Sequence, residues 1–360
     1  MERFDFKLTI RPNILFLKLV GLWPIDEHDF YRLYTLVVTI FVMGVYNFFR
    51  VMNIFYVYTD LKVLTATIYL TVTDVTVLVK SCLFIRNVRT LKQLTVTINC
   101  DRFQPKTMGQ KDLAKRGLSE WKFTYLMFWA LVFMSLLMWT ISPLIDSSGK
   151  DRQLPLPAWY PYNTTISPYY EITYVCQVIS MWFLATANMN MDSLIAALMM
   201  YVGTQCDILC DDLKNLPKTH KPRDNETDFN RSLTGCITHH KEILRFAQES
   251  NESYNYIILA QFFTSSLAIA LSMFQLTLVD PLSIESFPLL SYAFGMALQI
   301  FLYCWFGNDA EIKNSFLVVM FYKNKYTVIF NECIKMTTTQ EDEVCGTSRK
   351  RVGNSHYTRV

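Results

Sequence analysis

QIFLYCWFGNDAEIKN, residues 299–314, decides the fold class: within it the last long apolar run of the chain ends at Phe306 and polar residues begin at Gly307. An uncharged run of this kind, closed by Asn308, Asp309, Glu311 and Lys313, reads as a helix leaving a bilayer. The longest apolar run beyond it is 316–322, and seven residues do not cross a membrane.

Working back from this exit, five earlier apolar segments have the length of a spanning helix. The six predicted spans are 33–57, 62–85, 123–145, 172–203, 254–279 and 287–306. Composition agrees: 51% of the 360 residues are hydrophobic, 18% are charged and the mean hydropathy is +0.19. A soluble globule of that balance lacks the polar residues to cover its surface. The expectation is an all-α membrane protein with a polar segment at 1–32, a helical membrane domain at 33–306 and a divergent tail at 307–360. Within 1–32, Leu15, Phe16, Leu19, Val20 and Leu22 have helical spacing before a stop at Gly21-Leu22-Trp23-Pro24, which reads as an amphipathic segment on the membrane. That segment lacks the long apolar stretch of a cleaved signal. The fourth span, 32 residues or roughly 48 Å of helix, is longer than a hydrocarbon core of about 30 Å, so one end projects beyond it.

Charge sets the predicted orientation. The N-terminal segment, the second and fourth linkers and the tail hold 28 of the 34 Lys and Arg residues, whereas the first, third and fifth linkers hold only Lys150 and Arg152. By the positive-inside rule the N-terminus and the tail are cytoplasmic. That excludes a G-protein-coupled receptor, whose N-terminus lies outside. It also puts Asn163-Thr164-Thr165 in an outside loop as a glycan acceptor, while the sequons at Asn225, Asn230 and Asn251 fall inside as chance matches. The nine cysteines lie in helices or on the reducing side, as free thiols.

Chemistry of an enzyme is not written here. There is no GxSxG, HExxH, Walker loop or paired CxxC, and Cys206, Cys210, His220, His239 and His240 lack the spacing of a zinc site. The reading is no catalytic residue, metal or cofactor, and no nucleic-acid partner, since the basic residues are dispersed. Three ionisable groups lie in or near the predicted spans. Arg50 and Lys80 are near span ends and are expected to snorkel to the headgroups. Asp74 is near mid-depth, where it makes a buried polar contact, reaching Arg50, or serves a ligand or gate.

Aromatic, methionine and amide side chains gather where the helices approach the predicted outside: Tyr69, Met134, Met138, Trp139, Tyr174, Gln177 and Phe294. With Asp74 they form a candidate pocket for a small hydrophobic ligand, the alternative being plain packing with an interfacial aromatic belt.

Four local patterns, in order, carry a family resemblance: Gly21-Leu22-Trp23-Pro24; the LPLPAWYPY run at 154–162; the CITHHKEI run at 236–243 followed by Gln261-Phe262; and Tyr303-Cys304-Trp305-Phe306-Gly307-Asn308. Together with the span order, the chain resembles the insect odorant receptors over residues 10–314. That resemblance implies a seven-span protein of inverted topology in the dendrite membrane of a sensory neuron, forming an odorant-gated cation channel with a co-receptor. It also implies a pocket for a small hydrophobic or volatile odorant in the outer halves of the helices. Beneath the bilayer it implies an anchor region where subunits meet, to which His240, Gln261, Tyr303, Gly307 and Asn308 are assigned, with a sharp exit at Gly307-Asn308. The seventh span is not legible after Asn314, which points to a truncated gene model, an alternative transcript or a decayed copy, and to a form that does not conduct. Other readings are a non-conducting assembly or regulatory subunit and a gustatory-type chemoreceptor; a transporter would show repeated halves with broken helices, and none is legible.

Overall fold

The computed structural model describes residues 3–24, 29–145, 154–219, 226–279 and 286–323. These form helices α1 (Lys7–Leu19), α2 (Asp29–Val37), α3 (Tyr46–Val57), α4 (Leu61–Thr97), α5 (Met108–Ile145), α6 (Tyr169–Thr219), α7 (Glu226–Leu276) and α8 (Ser286–Lys323). Between α2 and α3 the chain widens into a π-helix, Val38–Val45, so that 29–57 is one rod of changing pitch. No strand occurs among the described residues. Six of the rods are long and apolar enough to cross a membrane, and the protein is a multi-pass membrane protein.

Each helix runs past the apolar segment that defines its span. The charged stretches around 86–97, 108–122, 205–219 and 226–253 read as linkers, yet they continue α4, α5, α6 and α7. The 51 residues of α6 and of α7 each make about 77 Å of helix, far more than a hydrocarbon core needs. The excess of both lies at one end of the bundle, the extended end; the opposite, loop end carries residues 154–168. α8 shows the same continuation: it passes Gly307 and Asn308 without a break and ends at Lys323. The sharp exit expected there is therefore absent. Gly307 needs no special backbone, and a Cβ on it would meet only Met199 Sδ, at 3.9 Å.

α6 is the axis. Its most apolar stretch is 89% buried, against 44% or less in the others, and α5, α7, α8 and α1 pack around it. A central helix faces protein on every side, so it accepts the small residues Ala187, Ser193, Ala196 and Ala197, which let neighbours approach closely. At Gly203 the approach is tight enough that a Cβ would lie 3.1 Å from Asp309 Oδ2 and 3.4 Å from Lys313 Cδ of α8. Lys313 clamps the same crossing by ion pairs at 2.8 Å to Asp207 and to Asp309.

Gly21-Leu22-Trp23-Pro24 has a physical explanation. Leu22 N–H donates to Leu17 C=O at 2.8 Å and Gly21 N–H to Lys18 C=O at 3.1 Å, the paired bonds that close a helix through a left-handed residue. Gly21 supplies that conformation at φ +79°, Leu22 and Leu17 pack together fully buried, and Pro24 prevents the helix from resuming. α1 is thereby folded back against α6, with Phe16 beside Trp129 and Phe6 beside Tyr201.

Candidate functional site

A cavity of about 150 Å³ lies between α4, α5, α6 and α8. Its walls are mostly apolar: Leu70 and Val77 of α4, Phe128, Leu136 and Trp139 of α5, Met181 and Leu184 of α6, Met296 of α8. The positions follow the helical period. On α5 they are 128, 131, 132, 135, 136 and 139; on α8 they are 291, 292, 295, 296 and 299. Such a chamber is the kind of site that small, largely apolar ligands occupy.

The loop end is covered by the segment after residue 153, whose Leu156 lines the cavity. Gln177 holds this lid: its Oε1 accepts from Leu156 N–H at 3.2 Å, and its Nε2 donates to Leu156 C=O at 3.2 Å and to the Tyr160 hydroxyl at 3.1 Å. Farther along, Trp159 stacks on Tyr56 and donates its backbone N–H to Phe49 C=O. Asn163 stands exposed nearby, its Oδ1 accepting from Thr165 N–H at 2.9 Å and the Thr165 hydroxyl at 2.8 Å.

Polar groups enter the cavity at three places. On α4, the Thr73 hydroxyl bonds the Tyr292 hydroxyl at 2.5 Å, and Asp74 stands 3.2 Å from Arg50 Nε. That approach is a charge contact and not an aligned hydrogen bond, since Nε has no bonded acceptor. On the opposite wall, Ser135 of α5 meets Ser291 of α8 at 3.2 Å. Asn188 and Gln299 form the floor.

Below this floor lies a sealed charged network. Lys80 Nζ donates to Asp192 Oδ1 at 2.5 Å, Asn188 Oδ1 at 2.6 Å and Gln261 Oε1 at 2.7 Å, using all three of its protons. Asp192 also accepts from the Tyr303 hydroxyl at 2.5 Å and from Gln299 Nε2. Gln261 Nε2 is shared between Gln299 Oε1 at 2.9 Å and Ser265 Oγ at 2.8 Å. Lys80 is fully buried and Asp192 only 2% exposed, so the pair has no access to water and survives through its complete set of partners. The network ties α4, α6, α7 and α8 together directly under the cavity.

Of the pocket residues expected from sequence, Asp74 and Trp139 line the cavity. Tyr69 is buried behind its wall, with its ring 5.3 Å from Tyr292, and Gln177 acts on the lid. Tyr174 donates to Thr140 C=O outside the lining, and Met138 also lies outside it. Met134 and Phe294 are 57% and 61% exposed on the bundle's outer surface: each falls off the lining stripe of its helix, so periodicity excludes them from the pocket.

Arg50 and Lys80 do not snorkel; both are fully buried, because an acidic partner on a packed helix face offers a nearer site than the headgroups. Of the residues assigned to the anchor, His240 lies in the extended end, with Nε2 3.1 Å from Asn314 Oδ1 and its ring beside Phe321. Gly307 and Asn308 are helical, the latter exposed. Gln261 and Tyr303 sit instead in the charged network.

Sequence reasoning missed Asn188, Asp192 and Gln299 as parts of a site. Their signal was the i, i+4 repeat of polar residues in apolar helices: Asn188/Asp192, Gln261/Ser265 and Gln299/Tyr303.

Odorant receptor Or1 of Anopheles gambiae is 26% identical over 337 residues, covering 86% of this chain and 79% of the mosquito protein. A stretch of 72 residues, 20% of this chain and 15% of the relative, is 29% identical to the odorant receptor coreceptor of Aedes aegypti. Among solved structures, the insect olfactory receptor OR5 of Machilis hrabei superposes with a TM-score of 0.75 at 22% identity, covering 86% of this chain and 81% of that one. The same receptor in complex with eugenol gives a TM-score of 0.71 at 23% identity, covering 83% and 79%. The 7tm Odorant receptor family model matches residues 60–327, and with nearly three quarters of its length inside that match the chain belongs to the 7tm odorant receptor family.

Proposed function

We propose that the chain is an odorant-receptor subunit that takes a small hydrophobic or volatile ligand into the α4/α5/α6/α8 cavity and gates a cation channel assembled with a co-receptor. The cavity carries this reading: it is apolar, lidded by a hydrogen-bonded loop and floored by a charged network joining four helices. A chamber of this volume suits ligands from benzene size upward, with modest breathing of the walls. Eugenol, bound by the Machilis hrabei receptor, is a small aromatic of the same general kind. The local similarity to the Aedes aegypti coreceptor supports a partner of that type.

In the proposed orientation the N-terminus and the extended end are cytoplasmic and the loop end is outside, in accord with the distribution of basic residues. Asn163 then carries a glycan that Asn163→Gln removes. A glycan mapped to Asn230 instead would invert the topology. The extended ends of α6, α7 and α8, with His240, Gly307 and Asn308, form the region where subunits meet.

The deciding experiment is co-expression with a co-receptor, recording current evoked by a panel of small aromatics and esters. Ligand-evoked current that disappears when the cavity is filled by Gly295→Trp supports the proposal. A second reading is a non-conducting assembly subunit, built on the long polar extensions of α6 and α7 at the extended end. Surface delivery with ligand binding but no current favours that reading.

A further inference from the structure

The polar atoms around the cavity are not equally available, and their existing bonds determine what chemistry remains for a ligand. Ser291 donates its single proton to Pro288 C=O at 3.0 Å, so the 3.2 Å contact with Ser135 is donated by Ser135, and both hydroxyls are left as acceptors. The two hydroxyl protons of Thr73 and Tyr292 are shared between their mutual contact at 2.5 Å and Tyr69 C=O, 3.0 Å from Thr73 and 3.4 Å from Tyr292. Asp74 is an acceptor already facing Arg50. Gln299 is held at both ends of its amide: Gln261 donates to its oxygen, and one of the two protons on its nitrogen goes to Asp192; the side chain is only 3% exposed.

Asn188 differs. Its Oδ1 accepts from Lys80 Nζ at 2.6 Å, and a lysine ammonium offers donors only. The amide oxygen must therefore face Lys80, and the Nδ2 group must face the other way. That orientation follows from the chemistry of the partner and not from how oxygen and nitrogen are told apart in coordinates. Asn188 is half-buried and lines the cavity; its nitrogen has no bond to any described residue and is not among the sealed, partnerless atoms.

We infer that Asn188 is a specificity-determining residue: its Nδ2 N–H, aimed by Lys80, selects ligands that carry a hydrogen-bond acceptor, such as a ketone, aldehyde or ester, and seats them acceptor-first on the cavity floor. This inference rests on the cavity being the ligand site. Two other side chains on the lining carry N–H groups: the second proton of Gln299 Nε2 belongs to a nearly sealed amide held from both ends, and Trp139 Nε1 sits toward the loop end of α5, near the level where Trp182 bonds Thr140, so it serves the mouth and not the floor. Asn188 acts as the contact group and Lys80 as its positioning residue.

The test uses the purified full chain in lipid nanodiscs and two probes of equal heavy-atom count and shape, acetophenone and α-methylstyrene, which differ in presenting C=O or C=CH₂. Binding is measured by calorimetry. The unaltered chain is expected to prefer the ketone by about three- to tenfold, the span of one net hydrogen bond. In Asn188→Ala, which removes the donor and leaves Lys80 bonded to Asp192 and Gln261, the preference falls to within about twofold. Asn188→Leu does the same, and Trp139→Phe, at the mouth, shifts the affinity for both probes together and keeps their ratio. Should Asn188→Leu fail to fold, Asn188→Ala decides. Equal affinity of the unaltered chain for both probes overturns the donor assignment while leaving the cavity in place. A ketone preference that persists in Asn188→Ala, or that vanishes in Trp139→Phe, overturns it as well. Binding of neither probe refutes the cavity reading, and this inference with it.

Discussion

Replacing Lys80 with methionine isolates the energetics of the charged network, because methionine is unbranched, close to the length of the lysine stem without its Nζ, and so removes the charge and its three donors while still filling most of the space. In the native protein Asp192 is 2% exposed and its carboxylate is balanced by Lys80 at 2.5 Å, with Tyr303 and Gln299 supplying further donors. Without Lys80 those two neutral donors remain, and they cannot neutralise a buried charge. Breaking a buried pair from one side costs about 3–5 kcal/mol, or roughly two to four powers of ten in the folding constant. Adding Asp192→Asn removes the stranded charge. The side chains at 188, 192, 261 and 299 are then all amides, able to bond one another, so the double variant is expected to regain about 2 kcal/mol or more. Stability is read from equilibrium unfolding in detergent, with size-exclusion profiles as a check on folding. If Asp192→Asn deepens the loss caused by Lys80→Met, the penalty is not an uncompensated charge and the account of the network is wrong.

Three further predictions follow from burial and backbone geometry. Lys313→Met removes two ion pairs at 2.8 Å, but the groups are 30–39% exposed, so the loss is below about 1 kcal/mol and shrinks with added salt in the same unfolding assay. Gln177→Leu leaves the buried Leu156 N–H and C=O unpaired at about 1–3 kcal/mol, and is expected to free the lid: cleavage by added protease within 154–168 rises while the helices stay intact. Gly21→Val forces a branched side chain into φ +79° with Cβ 3.4 Å from the Thr35 backbone, costing about 2 kcal/mol, whereas Gly21→Asn keeps most of the stability; thermal melting of the two variants checks the difference.

Much of the architecture was legible because lipid imposes one strong rule: an uncharged run of about 20 residues becomes a helix. The six spans, the loop that holds Asn163-Thr164-Thr165 and the stop at Gly21-Leu22-Trp23-Pro24 are all local patterns. Helix ends beyond the apolar runs were not legible. The extensions of α6, α7 and α8 interleave charged residues with buried apolar contacts such as Leu209, Leu213, Leu233, Ile237, Leu317 and Phe321, and their apolar runs are too short to span a membrane, so a hydropathy reading takes them for linkers.

The cavity divides along the same line. Asp74 and Trp139 were found because a charge in lipid and a tryptophan near a span end are conspicuous singly. Met134 and Phe294 belong to the same residue classes and lie on the outer surface, since a helix in lipid is apolar all round and its composition does not reveal which face meets protein.

By itself, then, the sequence determined that this chain is a bundle of membrane helices and where its apolar runs lie, and it marked Asp74 as a mid-depth charge in need of a partner; it did not reveal the buried pair of Lys80 and Asp192. The tertiary structure alone decided that they meet each other, 112 residues apart in the chain, and that Asn188 turns its amide nitrogen away from them. Pairing depends on the rotation of four long helices about their axes. That rotation is set by how side chains from all of them pack together, and no single helix encodes it.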